Sequence, residues 1–105
     1  MIDSPRDTVS ALHPMLAGHF PGNPVVPGAF LLSWVIAHAR PWLAGQGDRR
    51  VIAGVSRVKF QRPLRPGESF CCTWTAATES LRFVLASDAG IIATGTLMLH
   101  PTRTP

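Results

Sequence analysis

Residues 13–28 read HPMLAGHFPGNPVVPG and hold four prolines and three glycines. Neither a helix interior nor a central strand tolerates that density. The stretch is a loop, and a stiff one, because each proline fixes its own φ and restricts the residue before it. A stiff loop can hold a side chain in one place. Directly after it the pattern changes. Ala29 to Arg40, AFLLSWVIAHAR, reads as a helix, with Pro27 and Gly28 marking its entry and Pro41 its predicted end. Phe30, Leu31, Leu32, Trp34, Val35 and Ile36 leave that helix no polar face, so it must be covered on nearly every side.

The rest of the chain reads as strands and turns. Residues 1–6 form a loose tail, Asp7 to Leu12 a short strand, and 44–50, AGQGDRR, a flexible polar turn. Val51 to Phe60, Ser69 to Ala76, Leu81 to Ala86 and Ile91 to His100 are predicted strands. Phe70, Cys72 and Trp74 alternate onto one face of the second, and Leu81, Phe83 and Leu85 onto one face of the third. Asp88-Ala89-Gly90 is a hairpin turn, and the short connections predict antiparallel neighbours. The fold class is α+β. It is one domain over 1–105, with an antiparallel sheet around one central helix at about 28–40 and a second subunit supplying the remaining cover.

Composition narrows the function classes. The chain is 46% hydrophobic and 15% charged, whereas an ordinary soluble domain carries about 25% charged residues. Part of the surface is therefore expected to be an interface or an apolar pocket. The formal charge is +4, but no dense basic stripe with interleaved aromatics appears, so no nucleic-acid partner is expected. Cys71 and Cys72 are adjacent, point to opposite faces and have no metal-ligand spacing. They fit a reducing compartment. MIDSPRDTVS lacks the apolar core of a signal peptide, and no stretch approaches the ~20 apolar residues of a membrane span. The expectation is a cytoplasmic protein. His13 and His19 lack a third ligand, so no metal is expected.

Two segments carry a resemblance. Gly18-His19-Phe20-Pro21-Gly22-Asn23-Pro24-Val25-Val26-Pro27-Gly28 resembles the signature loop of the β-hydroxyacyl-acyl carrier protein dehydratases of the hot-dog fold. Val58-Lys59-Phe60-Gln61-Arg62-Pro63-Leu64-Arg65-Pro66-Gly67-Glu68 resembles a second segment of the same family, in the right order and spacing. The resemblance implies a hot-dog dimer, with sheets joined edge to edge and acyl chains in tunnels at the interface. It implies a (3R)-hydroxyacyl-thioester dehydratase of fatty-acid or polyketide-type synthesis. The acyl chain would be carried on the phosphopantetheine of an acyl carrier protein or on coenzyme A, with no further cofactor. His19 would act at C2, and the Gly28 amide would hold the thioester carbonyl, since a helix N-terminus is a ready donor for developing negative charge. Phe20, Gly22, Pro27 and Ala29 would line the substrate site. Arg57, Lys59, Arg62 and Arg65 would form a docking patch for the acidic carrier. At 105 residues the chain is shorter than a typical member, and the shortfall is expected at the first N-terminal strand and turn.

One part of the pattern is missing. The family places an acidic residue fourteen positions after the loop His, on the helix, and this chain has Ser33 there. No Asp or Glu occurs between Asp7 and Asp48, so no small shift of alignment restores it. A serine hydroxyl donates and accepts hydrogen bonds but is not a useful acid at neutral pH. His38 is expected near the helix end, beside Arg40, and Glu68 or Glu79 are the other carboxylates of interest. The resemblance leaves the assembly open between a homodimer and a heterodimer with another hot-dog subunit, and three readings stay open: a dehydratase with a modified site, a catalytically impaired acyl- or carrier-binding subunit of a heterodimer whose other chain supplies the carboxylate, and a hot-dog thioesterase.

Overall fold

A computed structural model of the chain describes residues 6–9 and 25–101. Helix α1 spans Gly28–Gly45, followed by strands β1 (Val51–Phe60), β2 (Phe70–Ala76), β3 (Ser80–Ser87) and β4 (Gly90–His100). The strands form one antiparallel sheet in the order β1-β4-β3-β2. All four expected strands are present, but β1 and β2, neighbours in sequence, do not pair. β1 is laid beside β4 instead, and the segment between β1 and β2 crosses to the far edge.

The alternation read from the sequence places the core. Phe70, Cys72 and Trp74 of β2, Leu81, Phe83 and Leu85 of β3, and Ala93, Leu97 and Leu99 of β4 are buried on the face that meets α1. From the helix, Leu31, Val35, Ala39 and Leu43 form one buried row at four-residue spacing, with Trp34 beside it. Burying a side chain of this size contributes roughly 1.5–3 kcal/mol, and together these rows hold helix on sheet.

The helix departs from expectation in two ways. It does not stop at Pro41 but continues to Gly45. A proline inside a helix forfeits one backbone bond and crowds the preceding turn, at a cost of about 3 kcal/mol. Here the extra turn buries Leu43 and brings Trp42 to 6.1 Å, ring to ring, from Trp74, which offsets that cost. The true stop is Gly47. It takes φ of +73°, its N–H donates to Ala44 C=O, and Asp48 N–H donates to Leu43 C=O at 2.9 Å. That pair of bonds is the Schellman closure, which needs a left-handed residue. Residues 46–48 are thus an ordered cap.

The second departure concerns cover. Within one chain α1 is sheltered on one side, and Ala29, Ser33 and Ala37 lie exposed in a row on another. The sheet's edges also differ. Residues 7–9 run beside the start of β2, where Asp7 and Phe70 exchange both backbone bonds at 2.8 and 2.9 Å. β1 has no strand on its outer edge among the described residues, and it exposes Val51 and Val55. No helix among the described residues is long and apolar enough to cross a membrane.

Candidate active-site cleft

The two segments that carry the resemblance meet in space. Val26 N–H donates to Leu64 C=O at 2.8 Å, and both side chains are buried. Just beyond, the Phe60 ring lies over Gly28, and a Cβ on Gly28 would sit 2.8 Å from the ring edge. A side chain at position 28 would therefore have to displace the Phe60 ring. Val26, Gly28, Leu31, Phe60, Gln61, Arg62, Pro63 and Leu64 enclose an open cleft of about 370 Å³ at the N-terminal end of α1.

The local sequence explains why this end is open. Pro27 is the N-cap residue and offers no side-chain cap, and the first helical turn contains no acidic residue. Phe30 and Leu31 N–H both reach the Pro27 carbonyl, whereas no described residue accepts the Gly28 N–H. A helix N-terminus left in this state carries partial positive charge and free donors. It can receive a carbonyl oxygen on which negative charge develops. Arg62, also on the cleft wall, is 3.7 Å from Glu68, whose carboxylate also accepts the Arg65 N–H. Glu68 therefore lies one ion pair away from the cleft, while Glu79 sits at the other end of the sheet, where its carbonyl accepts Leu99 N–H.

The remaining expected residues divide. His19, Phe20 and Gly22 lie outside the described residues. Pro27 and Ala29 flank Gly28 at the helix start, with Ala29 exposed. Ser33 follows Ala29 by one helical turn on the same exposed row. The four basic residues expected in one patch fall in two places. Arg57 and Lys59 lie on the outer face of the sheet, beside Arg82, while Arg62 and Arg65 belong to the β1–β2 connection with Glu68.

His38 is not at the helix end. It lies mid-helix, stacked on Trp34 with ring centroids 3.8 Å apart, its Nδ1 2.9 Å from Trp34 C=O. The Trp34 indole N–H donates to Asp7 Oδ2 at 2.6 Å. Asp7 thus anchors the buried side of α1, whereas Ser33 faces the open side. The sequence signal for Asp7 was slight: it is the last acidic residue before the stretch that lacks them. A second feature missed from sequence is Arg50. Its guanidinium grips both Asp48 carboxylate oxygens and donates to Ala77 and Thr78 C=O at 2.8 and 2.6 Å. Hydrogen bonds from Arg50 hold the Asp48 carboxyl below the usual carboxylate range.

Comparison with known proteins agrees with this geometry. A family model described as ApeI-like, ApeI dehydratase, matches residues 6–96. The 3-hydroxyacyl-acyl-carrier-protein dehydratase FabZ of Thermomicrobium roseum is 37% identical over 65 residues, covering 58% of this chain and 44% of that protein. FabZ of Chlamydia trachomatis is 36% identical over 70 residues, covering 60% and 45%. The chain spans about half the length of these curated relatives. Among solved structures, the dehydratase heterocomplex ApeI:P from Xenorhabdus doucetiae superposes with a TM-score of 0.75 at 24% identity, over 95% of this chain and 97% of that one. The fold is the hot-dog fold expected from the two segments.

Proposed function

Because this chain belongs to the ApeI-like dehydratase family, we propose that it is the histidine-bearing subunit of a (3R)-hydroxyacyl-thioester dehydratase whose site is completed by a second hot-dog chain. The observation that carries this reading is Ser33. It stands where the family has its acid, on an exposed row with Ala29 and Ala37, and no carboxylate of a described residue is bonded to it.

The chemistry divides accordingly. The thioester carbonyl oxygen accepts from the Gly28 N–H at the uncapped helix start. The His19 imidazole takes the C2 proton, and charge developing on the carbonyl is held by that amide and the helix dipole. The C3 hydroxyl departs as water, with a proton from a carboxylic acid on the other chain. The product is a 2-enoyl thioester; the imidazolium then releases the proton it took and the carboxylate takes one up, directly or through solvent, which resets both groups.

In the family each site pairs the His of one chain with the acid of the other. Two copies of this chain would then hold two sites without an acid. A mixed dimer with an acid-bearing chain has one complete site, built on His19. The exposed row of small side chains lets a partner helix approach closely, and β1, whose outer edge carries no strand among the described residues, exposes Val51 and Val55 for pairing. That the Xenorhabdus relative is described as a dehydratase heterocomplex supports the same reading.

The test is hydration of a 2-enoyl thioester, followed by loss of its ultraviolet absorbance. This chain alone should match buffer, and a mixture with an acid-bearing hot-dog dehydratase chain should turn over. With alanine at the other chain's loop histidine, so that its own homodimer is inactive, the mixture should still turn over, and His19→Ala in this chain should then silence it. Turnover by this chain alone, as a homodimer, would overturn the division of labour.

A further inference from the structure

Among the described residues Phe60 is the most exposed of the large apolar side chains. It is also the one whose ring stands over Gly28 at the cleft. Val58, two positions earlier on the same face of β1, packs against the core, and Phe60 does not. An aromatic ring left partly in water forgoes much of what burial would contribute. The core therefore gives no reason for a phenylalanine at this position, and the cleft does.

The backbone beneath the ring is fixed. Lys59 and Phe60 pair with Thr94 and Ala93 of β4, and the Gln61 N–H donates to Ile92 C=O at 2.7 Å. Ala93 is buried toward α1, so Phe60, its partner in the register, projects to the helix side. The ring moves only through its own side-chain torsions. Its tip, Cζ, lies 2.8 Å from where a Gly28 Cβ would stand, with Cε1 and Cε2 at 3.1 and 3.2 Å. All three are closer than an unstrained carbon–carbon contact of roughly 3.5–4.0 Å. Beside the Gly28 amide there is no room for one more methyl group while the ring stays in place.

We propose that Phe60 sets substrate specificity at C2, admitting 3-hydroxyacyl thioesters unbranched at that carbon and disfavouring those with a C2 methyl. The inference rests on the dehydratase reading, in which the thioester carbonyl oxygen accepts from the Gly28 N–H. That bond brings the carbonyl carbon and its two neighbours, sulfur and C2, beside the ring tip. Sulfur bears only the pantetheine arm, so the width of the substrate varies only at C2. A CH2 group passes the ring, whereas a methyl branch meets the ring carbons that a Gly28 Cβ would meet. The cleft is open away from the ring, so chain length is not read here. An exposed ring yields under pressure, which limits the discrimination to about tenfold, the low end for one methyl group in a specificity pocket.

The experiment uses the mixed dimer whose other chain carries alanine at its loop histidine. Hydration of crotonyl-pantetheine and of its 2-methyl analogue, tigloyl-pantetheine, gives a ratio of kcat/KM values. The intrinsic reactivities of the two thioesters differ, but they cancel when the ratio is compared between parent and variant. Phe60→Ala should raise the ratio of 2-methyl to unbranched substrate about tenfold. Phe60→Leu should raise it less, and Phe60→Trp should lower it, so the test does not hang on one variant. The ratio of 2-octenoyl to crotonyl thioester should not move in any of them. Ile91→Ala, at an exposed apolar residue outside the cleft lining, should leave both ratios as in the parent. A 2-methyl ratio that ignores all three Phe60 variants while crotonyl thioester turns over would overturn this proposal alone. So would an equal rise on Ile91→Ala or in the chain-length ratio, which is the mark of a loosened site. No crotonyl turnover by the parent mixture would overturn the dehydratase reading, and this proposal with it.

Discussion

The two ends of α1 are built on opposite principles. At the C-terminal end the orphan carbonyls are taken up by Gln46, Gly47 and Asp48, and the following charge is locked between Asp48, Arg50 and two carbonyls of the β2–β3 turn. At the N-terminal end there is no side-chain cap and no acid in the first turn, and a cleft lies open beside Gly28. Completing the same inventory of backbone groups at the N-terminus would add stability. That it stays incomplete there is what the proposed thioester site at Gly28 requires.

The contrast can be broken at either end. The largest effect on stability is expected from Leu43→Ala, which removes the buried side chain of the turn beyond Pro41. It should cost roughly 2–5 kcal/mol in urea unfolding. A loss under 1 kcal/mol would mean that the last turn does not close the core. Gly47→Ala comes next. Forcing a Cβ into φ of +73° should cost about 1–2 kcal/mol, read as a lower melting temperature. At the other end, Gly28→Ala pushes a Cβ into Phe60. Because Phe60 is 52% exposed and its ring can swing away, stability should fall by less than about 1.5 kcal/mol. Turnover by the mixed dimer should fall at least tenfold, since the displaced ring and the new methyl fill the cleft. Adding Phe60→Ala should restore stability, and a double variant as unstable as the single one would remove Phe60 as the reason for the glycine.

The smallest effect is electrostatic and concerns the locked end. Asp48 has its carboxyl lowered from 3.8, chiefly by its side-chain bond to Arg50. A carboxyl lowered in the folded state adds stability that is complete above its ordinary range and is lost as pH falls toward the lowered value. Asp48→Asn should therefore differ from the parent above the ordinary carboxylate range and converge with it as pH falls through that range toward the lowered value. A difference that grows on acidification would reverse the assignment.

Much of the fold was legible because its signals are local. Period-two alternation picked out Phe70, Cys72, Trp74, Leu81, Phe83 and Leu85 as core, and all are buried. The helix end was misread for a physical reason. Pro41 is a strong local breaker, but its cost is outweighed by the contacts Trp42 and Leu43 make with distant strands. Of the candidate site, the pairing of two signature segments could be read, and their contact through Val26 and Leu64 could not. The split of the basic residues was also hidden. Arg82 is twenty-three residues beyond Lys59 and joins it only through the register of β1, β4 and β3.

By itself the sequence determined the element types, the inward-facing residues, the family, and the absence of an acid at position 33. Those follow from residue spacing and from the presence or absence of a side chain. Only the tertiary structure decided that β1 lies beside β4, that Ser33 faces outward, that the helix runs past Pro41, and that three cations share one face. Each of these depends on contacts between residues far apart in the chain, whose free energies local propensity does not contain.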